Sequence, residues 1–542
     1  MRSRVRQFSV WTAMLVTLLC AQAGFAQDAS NKVTARVTPI PTVSGPIPVT
    51  ADSRPFLEAA KLQTPVDLAA RGYVEEEFFV SGTGNVYDWA PDGTVTIKAA
   101  DRPYTTRILL RRPSDPTRFS GTVLTEMFHS GLGSDNNLIW GSAGDYVMSH
   151  GDAYVGITVS GNTIGVLKVF NSTRYASLAF PAPVPGICGE QAAGGRGGRG
   201  GARGGGGGRG GGAPNPLRPA EFFPPADDSV HWDIISQVGA LLKSNVPNKP
   251  LAGFNVRYIF ASDHTASDTH TYARAFAKLA TTPNGKPVYD GFLVKEGAGV
   301  GAVNACGNQM APDDPRRGFK NIGVPVIFLL SQNYVARFVP IRREDSDAPG
   351  DQYRLYEVPG ASHLDKWSFN NLAPMKDREA VGAAATGGIW PFNYTCEPME
   401  KALPDYFPYE YFIHAMLFNL DEWVRNGVAP PRGDRMMIKN AGTPMAAVAT
   451  DVHGNAIGGI RNPYVDVPEA TFVEQMTGPG ACNQIGYWLP FSYKKMETLY
   501  GGAAKYETKV LAGIDKLVQQ RWLLKSDADK LKTELRTKWA AK

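Results

Sequence analysis

The chain has 542 residues, 43% apolar and 10% aromatic, with 56 Lys and Arg against 51 Asp and Glu. That apolar content can bury a sizeable core, which excludes a disordered or fibrous chain; the length permits up to about three domains or one enlarged α/β domain. The net charge of +5 would point to an acidic partner only if it clustered on a folded face, and it does not.

Arg2, Arg4 and Arg6 precede an apolar run from Met14 to Cys20, followed by the small-residue stretch Ala21-Gln22-Ala23-Gly24-Phe25-Ala26. A basic start, a short apolar stretch and small residues at the end read as a secretory signal peptide over residues 1–26, too short to span a membrane. Its three arginines leave +2 on the remainder. The expected location is therefore periplasmic or secreted, with no stable membrane anchor.

Residues 27–60 are rich in Thr, Val and Pro and read as an extended segment, and 61–542 as the folded domain. Within it, 194–212 holds 14 Gly, four Arg and one Ala. Such a tract cannot build a core and is expected to be a disordered insertion. It lacks the aromatic residues on which bases stack, so no nucleic-acid partner is expected. Without its arginines the body carries −2.

Short apolar strands are expected at Gly121–Met127, Ala153–Val159, Val256–Ala261, Gly291–Lys295, Val324–Leu330 and Tyr353–Val358, and helices at Trp232–Lys243, Ala266–Ala280 and Tyr411–Val424. Val-, Ile- and Leu-rich strands with intervening helices argue for an α/β fold, a mostly parallel sheet covered by helices. Helical spacing with charged faces recurs at Tyr493–Tyr500, Tyr506–Gln520 and Ala528–Trp539, so 480–542 reads as helical decoration outside the core.

Once Cys20 leaves with the signal, Cys188, Cys306, Cys396 and Cys482 remain. Four cysteines in an exported chain permit two disulfides in three connectivities, of which Cys188–Cys306 with Cys396–Cys482 is preferred.

Open α/β sheets place their chemistry at the carboxyl ends of the strands. Three ends stand out: Ser262-Asp263-His264-Thr265, Leu330-Ser331-Gln332-Asn333, and Pro359-Gly360-Ala361-Ser362-His363-Leu364-Asp365. The first passes sharply from strand to helix, and a His in a loop after the last strand is a suitable general base.

The stretches Thr122 to Phe128, His150 to Thr158, Arg174-Tyr175 with Leu178, Asp233 to Gln237, Tyr356 to His363 and Gly458 to Pro463, in that order, resemble the α/β-hydrolase-domain family of secreted bacterial proteins. The resemblance covers most of residues 60–540 and implies an α/β-hydrolase fold and hydrolysis of a small or medium organic molecule. The nucleophile elbow is degenerate. Registered on Tyr272, the family's Gly-x-Ser-Gln-Ser-Ala places Asp263 under the nucleophilic Ser and Thr265 under the second Ser. The family's acid slot after the next apolar strand falls on Gln332, and its Asn after the Glu126 strand falls on His129. Only His363 keeps its expected identity.

Asp263 can act as a carboxylate nucleophile, which suits displacement at carbon as in haloalkane dehalogenases and epoxide hydrolases, or it can simply cap the following helix. Thr265 and Ser267 are the rival nucleophiles, with Ser262 behind them. His363 is the expected base. Asp345, Asp347 or Asp365 would replace the missing acid. The loop from His129 and Ser130 to Ser134, with backbone near His264, matches the element that holds an oxyanion in this fold. No cofactor or resident metal is expected. Two alternatives share the fold: a catalytically silent member that binds a ligand, and a metal-assisted hydrolase using His129, His264, His363 and Asp263. The sequence leaves the substrate and the oligomeric state open.

Overall fold

The structure is a computed structural model that describes residues 32–187, 216–264, 268–297, 299–304, 306, 310–311, 313–383 and 395–540. The segment expected to be a signal peptide and the Gly/Arg tract lie outside those residues, as do Thr265, Ser267 and Cys188.

One nine-stranded sheet organises the chain. Its strands are β1 (Thr42–Ser44), β2 (Tyr73–Trp89), β3 (Val95–Pro113), β4 (Thr122–Met127), β5 (Ala153–Ile157), β6 (Tyr258–His264), β7 (Gly291–Lys295), β8 (Val326–Ser331) and β9 (Tyr353–Val358). The spatial order is β9-β8-β7-β6-β4-β5-β3-β2-β1. Strands β4 to β9 pair in parallel, and β3, β2 and β1 add antiparallel at one side.

The helices that bear on the site are α1 (Leu138–His150), α2 (Gly161–Phe170), α3 (His231–Lys243), α4 (Asp268–Ala275), α5 (Gln332–Phe338), α6 (Lys366–Asn370) and α7 (Tyr409–Asn426). Three more, α8 (Tyr493–Tyr500), α9 (Ala503–Gln519) and α10 (Lys525–Ala540), close the chain.

The period-2 rule sorts the parallel strands onto two faces. Val326, Phe328 and Leu330 of β8 join one apolar cluster with Ile235 and Val238 of α3 and Tyr272 of α4. Ile327 and Leu329 join a second with Val147 of α1 and Ile413 and Leu417 of α7. Both faces are covered, which is why these strands are nearly all apolar.

The six expected core strands are present with boundaries shifted by a few residues, β6 running three residues further to His264. The β2–β3 hairpin is the largest element absent from the sequence reading. Its Glu75, Glu76 and Glu77 hide the strand pattern, yet they pair with Arg111, Arg112 and Arg107 at 2.7–2.8 Å. The C-terminal helices are not purely external. Ile514 and Leu517 of α9 and Leu531 of α10 are buried in the second cluster, because their apolar stripe finishes the face that α7 begins.

Candidate active site

Chain order reverses across the sheet at β4 and β6: β5 lies on one side of this pair, and β7 to β9 on the other. Such a reversal is the position at which open α/β sheets bind ligands, outside the carboxyl ends of their strands. His129 follows β4, His264 ends β6, Lys295 ends β7, Gln332 follows β8, and His363 lies five residues past β9.

The β4 end is built rigidly. Glu126 is fully buried and accepts the amides of Ile139 at 2.8 Å and Trp140 at 3.0 Å, capping α1, and the Tyr154 hydroxyl at 2.6 Å. Burial pushes its carboxyl up to about 7. The loop that follows is anchored by Asp135, which meets Arg107 at 3.3 Å; Arg107 also pairs with Glu77, and Arg174 reaches Glu77 at 2.6 Å. The motif residues Arg174 and Tyr175 thus serve the scaffold, with the Tyr175 hydroxyl 3.0 Å from Glu77. Within the loop, Asn136 donates to the His129 carbonyl at 2.8 Å and the Gly131 amide donates to His129 Nδ1 at 3.3 Å. The Gly133 amide donates to the Ser130 carbonyl at 3.0 Å, tightening the turn. Burial lowers the His129 pKa to about 4, so the ring is neutral.

At the β6 end Asp263 is fully buried. Its Oδ2 accepts the Thr269 amide at 2.9 Å, which makes it the N-terminal cap of α4; Oδ1 and the Thr269 hydroxyl have no well-formed hydrogen bond. Burial, and then the charge of Asp268, push its carboxyl well above the usual range and favour the neutral acid. His264 is equally buried, its Nε2 3.3 Å from the His363 carbonyl, and burial followed by the Lys295 charge lowers its pKa well below normal.

The β9 end carries His363 on a turn that starts at Gly360, whose φ of +86° suits glycine. Oε1 of Gln332 accepts the Gly360 amide at 2.8 Å, and Asn333 Oδ1 accepts the His363 amide at 3.0 Å. Asn462 braces the same turn by donating to the Pro359 carbonyl at 3.0 Å, which accounts for the Gly458 to Pro463 motif. Cys396 and Cys482 are joined by a disulfide, one of the two pairings preferred from the sequence. It closes the segment whose Gln484 carbonyl accepts the Ser362 hydroxyl and the Leu364 amide, both at 3.2 Å. Cys306 is disulfide-bonded as well.

The acid beside His363 is a residue the sequence reading missed. Glu296 Oε2 lies 3.3 Å from His363 Nδ1, while Oε1 accepts the Ser331 amide at 2.7 Å and the Tyr409 hydroxyl at 2.9 Å. Glu296 adopts φ +60°, a left-handed conformation uncommon outside glycine that turns its carboxylate toward the β9 loop. The available signal was a Lys-Glu pair closing an apolar strand at its carboxyl end.

The acids expected from the sequence are engaged elsewhere. Asp345 pairs with Arg435 at 2.5 Å and accepts the Leu355 amide; Asp347 bridges Arg354 and Arg432 at 2.5 and 2.6 Å. Gln332 supports the turn without touching the imidazole. Asp365 is buried, pairs with Lys295 at 2.9 Å and caps α6. A run of charges says nothing about which partner each charge finds, so position in sequence misled here.

Tyr334 stacks on His363 with centroids 3.8 Å apart and planes 7° apart, and Arg337 covers the Tyr334 ring at 4.4 Å. Burial lowers the His363 pKa, with Glu296 opposing. The ring is therefore neutral and held at Nδ1, which leaves Nε2 as the nitrogen available to a substrate. The His264 and His363 ring centroids are 5.4 Å apart. Among the described residues, no group of three or more His, Cys, Asp or Glu side chains is arranged to hold a metal ion.

No curated protein matches the chain. A solved structure of esterase Est22 is similar at 11% identity over 57% of this chain and 79% of its own, with a TM-score of 0.24. The family model for the alpha/beta hydrolase domain matches residues 43–533, from the first strand of the sheet into the last helix. The chain belongs to the alpha/beta hydrolase domain family.

Proposed function

We propose that this chain is an exported hydrolase that cleaves small or medium ester-type substrates at the carboxyl ends of β4 and β6, with His363 as general base. The observation that carries the reading is the His363–Glu296 contact at 3.3 Å in a buried setting. Glu296 fixes the tautomer with the proton on Nδ1, so Nε2 can take a proton from an attacking water. The water oxygen bonds to the acyl carbon as Nε2 takes its proton. The tetrahedral adduct then expels the alcohol, which regains that proton from Nε2. The 129–134 loop follows β4 at the same end of the sheet, and we assign the oxyanion to backbone donors of that loop other than the His129, Gly131 and Gly133 amides that tighten it.

Asp263 is not needed as a nucleophile in this scheme. A neutral, helix-capping carboxyl is a poor one, which argues against displacement at carbon. Thr265 lies outside the described residues, and the scheme does not depend on it. The leader sequence and the Cys396–Cys482 disulfide both fit an oxidising compartment, and among the described residues no helix is long and apolar enough to cross a membrane. The partner expected is a small-molecule substrate.

The test is turnover of a p-nitrophenyl ester panel by wild type and His363→Gln. The scheme expects a loss of about 10²- to 10⁴-fold; equal rates in both proteins would sink it. A second reading, a ligand-binding member without turnover, is favoured by the capping role of Asp263 at the nucleophile position. No turnover of esters, epoxides or haloalkanes by fully folded protein would select it.

A further inference from the structure

The residue before Glu296 is a buried lysine that the reaction above does not use. Lys295 closes β7 with no solvent exposure. Its Nζ donates to Asp365 Oδ2 at 2.9 Å and to the Ser368 hydroxyl at 3.2 Å, and lies 3.2 and 3.4 Å from the two ring nitrogens of His264. The Tyr409 ring sits 5.2 Å away. Each contact leads back to His363. Asp365 is two residues further along the same loop, and its Oδ1 accepts the Trp367 and Ser368 amides at 2.9 and 3.1 Å. His264 Nε2 is 3.3 Å from the His363 carbonyl. A neutral His264 that donates Nε2–H to that carbonyl keeps Nδ1 as its acceptor for the ammonium. Two consecutive residues therefore bear on the same histidine: Glu296 meets the ring, and Lys295 reaches the backbone indirectly, through His264 at the His363 carbonyl and through Asp365 two residues on.

We propose that Lys295 is a positioning residue for the base, its ion pair with Asp365 and its contact with His264 keeping the His363 ring in register with Glu296. The inference rests on the reading of His363 as the base. Breaking a buried ion pair at one partner strands the other charge, whereas replacing both avoids that, so the pair can be removed together. The charged and titratable groups around His363 are Lys295 at the end of β7 and Glu296 just after it, Tyr334 from α5 with Arg337 behind it, His264 from β6, His129 from the β4 loop and Asp365 from its own loop. Lys295 opposes protonation of His363, so its removal raises the His363 midpoint.

The experiment uses the full chain as wild type, Lys295→Met and the double variant Lys295→Met with Asp365→Asn, whose amide retains the helix cap. Two readouts are taken: p-nitrophenyl acetate kinetics, and NMR titration of ring-labelled histidine with His363 assigned through His363→Gln. In the double variant kcat is expected to fall about tenfold or more with KM little changed, because substrate contacts remain while the base is misaligned. In Lys295→Met the His363 midpoint is expected to rise by about half a pH unit or more. If Lys295→Met does not fold, the double variant decides alone, by its kcat and by a displaced His363 resonance. Folded variants with wild-type kcat, midpoint and resonance position would overturn the proposal. If wild type turns over no ester, the hydrolase reading fails while the NMR arm still decides whether Lys295 positions His363.

Discussion

Glu296 Oε2 stands 3.3 Å from His363 Nδ1 although the two are 67 residues apart and β8 lies between their strands. The carboxylate crosses that strand because its backbone is left-handed, and it is held in place by the Ser331 amide and the Tyr409 hydroxyl. Those two contacts fix the carboxylate, and the carboxylate with the stacked Tyr334 ring restricts the imidazole, the constraint that the proposed general base requires.

Glu296→Gln keeps the shape and removes the charge. Ester turnover is expected to fall by about 10²- to 10⁴-fold, the cost of losing the tautomer-setting partner. Glu296 raises the His363 pKa, so any residual activity should show its acid limb at lower pH than wild type. Asp347→Asn, at a surface bridge far from the imidazole, should leave kcat unchanged. A pH–rate profile of the two variants checks both statements.

Asp263→Asn separates a carboxylate nucleophile from a helix cap. Asn still accepts the Thr269 amide, so the variant is expected to fold and to keep most of its turnover. Loss of more than about 10³-fold, measured before the amide can deamidate, would return Asp263 to the nucleophile role.

Glu126→Ala should destabilise the protein without altering the chemistry. It strips the buried Ile139 and Trp140 amides and the Tyr154 hydroxyl of their acceptor, at a cost of about 3 kcal/mol in urea unfolding. The KM of any remaining folded protein should stay near wild type.

Removing the Cys396–Cys482 bridge, with its sequence separation of 86, should cost about 4.6 kcal/mol through the freed chain alone. It also frees the Gln484 segment that holds Ser362 and Leu364. A paired Cys396→Ser and Cys482→Ser variant should therefore lose kcat even at temperatures where circular dichroism shows it folded.

His270 provides a pH test away from the reaction. It is fully buried, stacked on Phe319 at 4.0 Å, and burial lowers its pKa to about 3. The unfolded chain takes up the proton near pH 6.5 while the native state refuses it until about 3, so stability falls as pH drops through that window. Between pH 7 and 5 wild type should lose about 2 kcal/mol more than His270→Phe in denaturant unfolding.

The sequence by itself determined the parallel strands of the sheet and one member of the candidate site. Apolar runs such as Val326–Leu330 are legible because strands buried on both faces have little choice of residue. His363 was legible because a Gly-containing loop after a final strand is a recognisable local arrangement. The β2–β3 hairpin was not, since its glutamates are satisfied by arginines about 30 or more residues away. The acid was not legible either: Asp345, Asp347, Asp365 and Glu296 are all carboxylates near strand ends, and chain order cannot say which faces an imidazole. Only the tertiary structure decided that. Arginines neutralise Asp345 and Asp347, Lys295 takes Asp365, and the crossing of β7 to β9 with a left-handed Glu296 brings one carboxylate to His363. Partner choice among charges is set by distance and burial, which sequence spacing does not encode.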